Sequence, residues 1–275
     1  MKKNKSTIIL ILVFFVGLSV MLYPTISDYV NQRNQSRAVA SYAQDVDNMT
    51  DADYSAYFDA ADAFNAQVAA NENALYRPDQ LTGYNETLDI TGTGIMGYIT
   101  ISKIGVELPI YHGTKESVLQ IAVGHLDWTS LPVGGAGSHC VLSGHRGLPS
   151  ARLFTDLDKL KVGDVFMLHV LNEILTYEID QILIVEPQDT DPLLIEPGKD
   201  LCTMITCTPY GINSHRMLVR GHRIESQEEA KVIRITADAV RIEPLMVAPI
   251  VAVPILLVLL IILLLPKQKK GSLQE

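Results

Sequence analysis

A cysteine at position 207 ends a threonine-rich run, and an arginine follows it at position 216. Pro209 and Gly211 lie between them, and both residue types interrupt strands and favour turns. The pattern predicts a strand that ends near Cys207, a loop, and a second strand that resumes near Arg216. If the two strands pair antiparallel, these two residues lie opposite each other with Cβ atoms about 5 Å apart.

The pairing of Cys207 with Arg216 suits nucleophilic attack on a carbonyl group. The thiolate is the reactive form of cysteine, and a neighbouring cation favours it. Arginine stays charged at any working pH and offers several N–H donors, so it can hold the negative oxygen that forms during the attack. The two residues together predict a cysteine acyltransferase.

Such an enzyme also needs a proton carrier for the leaving amine, and histidine serves this purpose near neutral pH. His145 lies in residues 143–147, where flanking glycines end a predicted strand and leave the imidazole in an accessible loop. We therefore assign proton transfer to His145. A structural or surface role is the simpler interpretation for the histidines without such a setting, namely His112, His125, His139, His169 and His222.

The chain has two further cysteines, Cys140 and Cys202, which we interpret as small apolar residues of the core. Cys202 and Cys207 are an odd number of positions apart, so in one regular strand their side chains point to opposite faces. A disulfide between these two is therefore not expected. Three cysteines also leave at least one thiol unpaired.

The elements that must position these residues change from helical to β-rich after residue 79. Apolar residues recur at helical intervals over 26–73, which predicts two amphipathic helices, the second with Thr50 or Asp51 as its N-cap. Short β-rich runs then alternate with turn residues, which predicts a mostly β domain, closed or nearly closed into a barrel. The predicted strands are 95–101, 107–111, 140–143, 165–170, 175–185, 202–206 and 217–220, with helical turns at 118–123 and 155–160.

Two apolar runs without charged side chains, residues 7–23 and 245–265, are each suited to crossing a bilayer. Lysines precede the first run and no A-x-A-like cleavage site follows it, so we interpret it as a signal-anchor, with a cleaved signal peptide as the alternative. Lysines also follow the second run. The positive-inside rule therefore places both termini in the cytoplasm and the intervening domain outside.

The net charge of −9 argues against nucleic acid as a partner. The acidic cluster formed by Asp51, Asp53, Asp59 and Asp62 lacks the glycine and terminal glutamate of a calcium loop, and a solvated helix face is the simpler interpretation. Neither a metal nor a cofactor is expected.

The motifs resemble those of the sortase family, the thiol transpeptidases of Gram-positive bacterial surfaces. In sortases a threonine-rich strand ends in the catalytic cysteine, an arginine follows on the next strand, and the histidine lies well upstream. Cys207, Arg216 and His145 take those places. Similarity to class C, the pilus-building branch, is carried by the second apolar run and by segments 129–135, 143–150, 153–158 and 207–213.

The resemblance covers roughly residues 85–225. It implies a mostly β fold, an eight-stranded sortase-like β-barrel with short helices, preceded by N-terminal helices and flanked by two transmembrane helices. The implied organisation is a signal-anchor at 1–25, a helical juxtamembrane and lid region at 26–84, the catalytic barrel at 85–225, a stalk at 226–244, a transmembrane helix at 245–266 and a cytoplasmic tail at 267–275.

The resemblance also implies a reaction on surface proteins. An LPxTG-like sorting signal is cleaved, its threonine carbonyl is held as a thioester on Cys207, and the acyl group passes to a lysine amine of a pilin. His145 would move the proton and Arg216 would bind the oxyanion or the sorting peptide. The alternatives are a sortase that anchors proteins to the cell wall, a thiol peptidase, and a membrane-tethered binding protein whose thiol is incidental.

Class C sortases usually carry a lid with an Asp-Pro-aromatic anchor, and no such triplet occurs near the helices of this chain. The nearest sequence, at residues 76–79, lacks both the preceding acid and the following aromatic residue. We therefore expect a lid that is degenerate or held differently.

Overall fold

The computed structural model describes residues 2–71 and 74–225, with side chains from residue 8 onwards. The predicted stalk, second transmembrane helix and cytoplasmic tail lie outside the described residues. The described chain divides into an N-terminal unit that ends at Ser27 and a larger unit that begins at Asp28. The larger unit contains all the residues predicted to do chemistry.

Helix α1 spans Lys2–Asp47 and contains the first apolar run. Its portion Ile8–Asp47 has the length and composition of a membrane span, with a mean hydropathy of 2.4 in a window that is not buried by protein. A signal sequence has the same properties. Helix α1 includes both the apolar run and the first predicted amphipathic helix, and Pro24 lies inside α1. Proline removes one backbone hydrogen bond but need not end a helix of this kind.

Helix α2 spans Asp51–Ala70, and Thr50, one of the two predicted candidates, is its N-cap. The Thr50 hydroxyl accepts a hydrogen bond from the backbone N–H of Asp53, and the Asp53 carboxylate accepts one from the backbone N–H of Thr50 at 2.9 Å. This reciprocal pair satisfies free donors at the start of the helix. Phe64 and Val68 on one face of α2 are buried in the main hydrophobic core of the barrel.

Eight strands form a closed barrel with the order β1-β2-β3-β4-β7-β8-β6-β5. The pairs β2–β3 and β4–β7 are parallel, and the others are antiparallel. The strands are β1 (Ile95–Ile101), β2 (Val106–His112), β3 (Val123–His125), β4 (Ser138–Ser143), β5 (Val165–Val170), β6 (Glu173–Val185), β7 (Asp200–Thr208) and β8 (His215–Ile224). Helix α3 (Glu116–Leu119) and short 3₁₀ turns at Pro78–Gln80, Ser102–Ile104, Leu157–Lys159 and Asp191–Leu193 complete the described elements.

The mostly β, eight-stranded barrel is as predicted, and each predicted strand lies within an observed one. Strand β3 was missed, because a helical turn was expected at residues 118–123, where the helix is short and ends at Leu119. The strand has three residues and contains Gly124, which gives no β-like pattern. The glycine is needed there, since a Cβ atom would lie 2.3 Å from the Gly113 carbonyl oxygen.

Strand β7 is buried on both faces, and this property positions the site. Cys202 and Met204 point into the main core inside the barrel. Ile205 instead belongs to a small second cluster with Val141, Leu193 and Leu218 on the outer side. The outer face of β7 is therefore covered by the segment between β6 and β7, which contains Leu193.

Candidate active site

Cys207 and Arg216 are paired directly across the antiparallel strands β7 and β8. Strand β7 ends one residue after Cys207, and β8 begins one residue before Arg216. Cys207 is partly exposed, whereas Cys140 and Cys202 are buried. The pairing predicted from the turn residues is thus present, and it leaves the thiol of residue 207 accessible.

The segment that carries His145 runs alongside the end of β7. Ser143 is the register partner of Ile205 in the parallel pair β4–β7, and the backbone N–H of Gly144 donates to the Ile205 carbonyl oxygen at 3.1 Å. The Thr206 hydroxyl donates to the Gly144 carbonyl oxygen at 2.8 Å. Adjacent strands lie about 4.8 Å apart, so continuing this register brings residue 145 beside residue 207.

A contact beyond His145 supports the same placement. The Arg146 guanidinium donates to the Thr208 hydroxyl at 3.3 Å. The residues on both sides of His145 are therefore hydrogen-bonded to the residues on both sides of Cys207. The structure brings the three predicted residues, His145, Cys207 and Arg216, to the same end of the barrel.

Nε2 of the His145 imidazole is buried and forms no hydrogen bond within the described residues. This atom lies 3.6 Å from Oε2 of Glu116. The distance is too long for a hydrogen bond but short enough for an ion pair when the ring is protonated. The other carboxylate oxygen of Glu116 accepts a hydrogen bond from Gln120, which holds it in place. The sequence did not indicate Glu116, because it lies in the short helix α3, and four residues leave no periodic signal.

The glycines that flank His145 are required by close neighbours. A Cβ atom on Gly144 would lie 2.6 Å from the ring of Phe154. Gly147 has a φ of +78°, which favours glycine, and a Cβ atom there would lie 2.8 Å from the ring of Tyr210. These contacts fix the path of the loop that presents the imidazole.

The Gly144→Ala variant is expected to be less stable, with a melting temperature lower by about 3–10 °C, because the added methyl group overpacks against Phe154. Thermal unfolding followed by circular dichroism measures the change. Adding Phe154→Leu to the same chain should restore part of the loss, since the smaller side chain makes room. An unchanged melting temperature in the single variant would show that the loop can shift without cost.

Arg216 is held by the loop between β7 and β8. Its Nη1 donates to the carbonyl oxygens of Asn213 at 3.3 Å and His215 at 3.1 Å. On its other side it is the register partner of Val185 in β6. These bonds use one terminal nitrogen of a group that has five N–H donors. The side chain is therefore positioned while retaining donors that can face a ligand.

A groove with a volume of about 250 Å³ begins at Arg216 and lies over the outer face of β4, β7 and β8. Ser143, Asp189, Thr190 and Arg216 supply polar groups to its lining. Its apolar lining residues include Leu126, Trp128, Val185, Leu193, Ile205 and Leu218. Such a groove suits a short extended peptide with apolar side chains. Within residues 8–71 and 74–225, no cluster of three or more His, Cys, Asp or Glu side chains forms a metal site.

His139 links strand β7 to the segment between β6 and β7 that contains Leu193. Its Nδ1 lies 2.9 Å from the Leu194 carbonyl oxygen, which can only accept, so Nδ1 carries the hydrogen. Its Nε2 then accepts from the Thr203 hydroxyl at 2.7 Å. Burial lowers the pKa of His139, which keeps the ring neutral. The structural role expected for this histidine agrees with these contacts.

Residues 74–82, the part of the predicted lid region that follows α2, contact α2 and the core. Ala74 and Leu81 are buried in the main hydrophobic core. The backbone N–H of Thr82 donates to the Gln67 side chain at 3.1 Å. Ala74 and Leu75 also line a second depression, which shares Trp128 and Leu193 with the groove. These contacts place the segment beside the groove, and the expectation of a degenerate lid stays a prediction.

Comparison with known proteins gives consistent matches. The family model described as Sortase domain matches residues 99–224. Sortase D of Bacillus subtilis (strain 168) is 32% identical over 131 residues, which is 46% of this chain and 63% of that protein. The chain therefore spans slightly less than two thirds of that relative's length.

Solved structures match over more of the chain. The crystal structure of sortase C1 from Streptococcus agalactiae gives a TM-score of 0.64 at 49% identity, over 70% of this chain and 100% of that chain. Sortase C of Streptococcus pneumoniae gives 0.62 at 43% identity, over 69% and 97%. The chain belongs to the sortase family, whose members are cysteine transpeptidases. Within that family, the solved structures that it resembles are class C sortases.

Proposed function

We propose that this chain is a class C sortase that cleaves an LPxTG-like sorting signal and transfers the acyl group to a lysine amine of a pilin. The observation that carries the proposal is the strand register, which brings the accessible thiol of Cys207 between the segment of His145 and Arg216. The groove that begins at Arg216 supports a peptide substrate.

In the proposed reaction Cys207 gives its thiol proton to His145, and the resulting thiolate attacks the threonine carbonyl carbon of the sorting signal. The carbonyl electrons move to oxygen, and a guanidinium N–H of Arg216 stabilises that negative oxygen. The tetrahedral intermediate collapses with cleavage of the C–N bond, and His145 gives a proton to the departing glycine amine. A thioester on Cys207 remains.

In the second half, a lysine amine attacks the thioester carbonyl. His145 takes the proton that the amine loses, and the sulfur of Cys207 departs with the electron pair of the C–S bond. The product is an amide between the threonine carbonyl and the lysine. His145 then returns this proton to the sulfur and regenerates the thiol, so the reaction consumes neither water nor a cofactor.

The apolar lining of the groove supports recognition of the leucine and proline of such a signal. Trp128 and Leu193 supply apolar surface, and the floor is formed by the outer face of β7 at Ile205. Leu194, next to Leu193 in that wall, is tied through its carbonyl oxygen to the buried His139, which gives the wall a defined position. A preformed groove lowers the cost of ordering a flexible peptide.

Two relatives support a pilin as the acceptor. The sortase C of Streptococcus pneumoniae has been described with regard to pilin substrate specificity, and a sortase C1 belongs to pilus island 1 of GBS. For this chain we propose the same kind of acceptor. We also propose that α1 anchors the chain in the membrane, with the barrel outside the cytoplasm and both termini inside.

The test uses the purified full chain in detergent with an LPxTG-like peptide, with and without a pilin that offers a lysine. The expected results are a thioester adduct on Cys207, detected by mass spectrometry, and an amide-linked peptide–pilin product. A free peptide acid as the sole product, even with pilin present, would identify a thiol peptidase. Transfer only to a cell-wall peptide amine would identify a wall-anchoring sortase. The absence of both an adduct and cleavage would favour a membrane-tethered binding protein.

The Arg216→Ala variant is expected to lower kcat/KM for peptide cleavage by about 10²–10³-fold, because one donor to the oxyanion is lost. Arg216→Lys should recover only part of the activity, since the ammonium group cannot reproduce the geometry of the guanidinium. Arg223→Ala, at the far end of β8, is the matched control and should stay within about twofold of the native rate. Equal losses in the Arg216 and Arg223 variants would contradict the proposed role.

The Glu116→Gln variant is expected to lower kcat by about two- to fivefold at low salt, because a partly exposed ion pair with protonated His145 is worth little. The difference from the native chain should shrink as salt is added. Glu173→Gln, another exposed acid, is the control and should change nothing. A native rate for Glu116→Gln at low salt would show that this carboxylate does not act on His145.

A further inference from the structure

Cys140 and Cys202 lie side by side in the barrel wall, and the proposed reaction uses neither thiol. They are register partners in the parallel strands β4 and β7. Their exposed fractions are 2% and 0%, and both belong to the main hydrophobic core. The sequence predicted the core position of each but did not indicate that they are neighbours.

The geometry of the pair suits a covalent bond. Neighbouring strands are about 4.8 Å apart, which lies within the Cα–Cα range of disulfides. Both side chains point to the inside of the barrel, because both belong to the interior core. The strand spacing and the shared direction of the two side chains therefore both fit a bond between the two sulfur atoms.

The two thiols differ in reactivity. Burial raises the pKa of Cys140, but the neighbouring Cys202 and His125 lower it, and the balance is below the ordinary value. Burial and the neighbouring Cys140 raise the pKa of Cys202. In the closed barrel Cys140 therefore has the larger fraction of thiolate.

We propose that Cys140 and Cys202 are a modification site and form a disulfide bond that links β4 to β7. The oxidant is a disulfide compound from outside the cell. The proposal therefore rests, like the proposed function, on the barrel lying outside the cytoplasm. The sulfur of one of these cysteines loses its proton, attacks the external disulfide and releases one thiolate. The sulfur of the other cysteine then loses its proton, attacks the first sulfur and releases the second thiolate. The protein loses two electrons and two protons, and the oxidant becomes two thiols.

The proposed disulfide lies at the same sequence distance from both His145 and Cys207. His145 follows Cys140 by the same number of residues as Cys207 follows Cys202. Cys207 in β7 and His145, two residues past the end of β4, therefore lie the same number of residues beyond the bond. A disulfide at this point holds the two strands in the register that brings the imidazole beside the thiol. Because both sulfur atoms are buried, the exchange takes place while the barrel is open, during folding.

The test counts free thiols in the full chain. The protein is unfolded and refolded in detergent with oxidised glutathione, then denatured with an alkylating reagent and analysed by mass spectrometry. The expected result, once glutathione bound to Cys207 is allowed for, is that Cys140 and Cys202 are not alkylated and that their tryptic peptides are cross-linked. Prior reduction should allow all three cysteines to be alkylated. Alkylation of both residues without reduction, or separate glutathione adducts on both, would overturn the proposal.

Thermal unfolding gives a second measurement. Reduction is expected to lower the melting temperature of the oxidised native chain by about 10 °C and to leave that of Cys140→Val unchanged. If Cys140→Val does not fold, the thiol count of the native chain still decides. If the oxidised native chain cleaves the peptide but contains no cross-link, the disulfide is refuted and the proposed function is not. If the chain is cross-linked but forms no thioester, the proposed function is refuted and the disulfide is not.

Discussion

The Cys207→Ala variant is expected to lose at least about 10⁴-fold in the rate of sorting-peptide cleavage, because no other group can form the thioester. The fold should be unaffected, since Cys207 is partly exposed at the end of β7 and alanine fits the same strand. Liquid chromatography of the cleaved peptide measures the rate, and the melting temperature verifies the fold.

Cys207→Ser is the informative companion variant, because it keeps the size of the side chain and removes the nucleophilic sulfur. It should be nearly as inactive as Cys207→Ala. Undiminished cleavage by both variants would favour the binding-protein reading, with a contaminating peptidase as the source of activity. Cleavage by the serine variant alone would show that a hydroxyl group is activated well at this position.

The His145→Asn variant is expected to lower kcat by about 10³-fold, because the leaving amine then departs without a positioned proton donor. Asparagine keeps a polar side chain of similar size, so the loop should retain its path. Steady-state kinetics with the sorting peptide measures kcat and KM separately. The loss should appear in kcat, since the imidazole acts on the reacting atoms and not on the bound peptide.

His169→Asn is the matched control for this experiment. The ring of His169 stacks on Tyr98 and its Nε2 lies 3.1 Å from the Thr100 hydroxyl, in strands β5 and β1 away from the groove. Its replacement should leave kcat within about twofold of the native value. If the His145 variant were as active as the His169 variant, the proton would have to be carried by another group.

The Cys207–Arg216 pair could be predicted because the signal is local. A proline and a glycine lie within a short loop, so the two strands had to pair antiparallel with a register set by the loop. His145 was harder, because the only local signal was its flanking glycines. Its proximity to Cys207 comes from the parallel pairing of β4 with β7, which no turn specifies.

The same physical reason explains what the sequence could not reveal. The contact between Cys140 and Cys202 also depends on the β4–β7 register, so their distant positions in the chain gave no sign of it. Glu116 and β3 lie in elements of three or four residues, which are too short for a periodic pattern. The wall of the groove is the irregular segment between β6 and β7, whose path follows from tertiary contacts such as that of His139 with Leu194.

The parallel pairing of β4 and β7 also determines when during folding the chain acquires reactivity. The β5–β6 hairpin and the β6–β7 connection separate these two strands in sequence, so their contact is of long range and costs more loop entropy than a hairpin does. A folding chain therefore contains both the imidazole and the nucleophile before the two are adjacent. Competence for acyl transfer comes with closure of the barrel, and a truncated or incompletely closed chain should be inert toward neighbouring surface proteins.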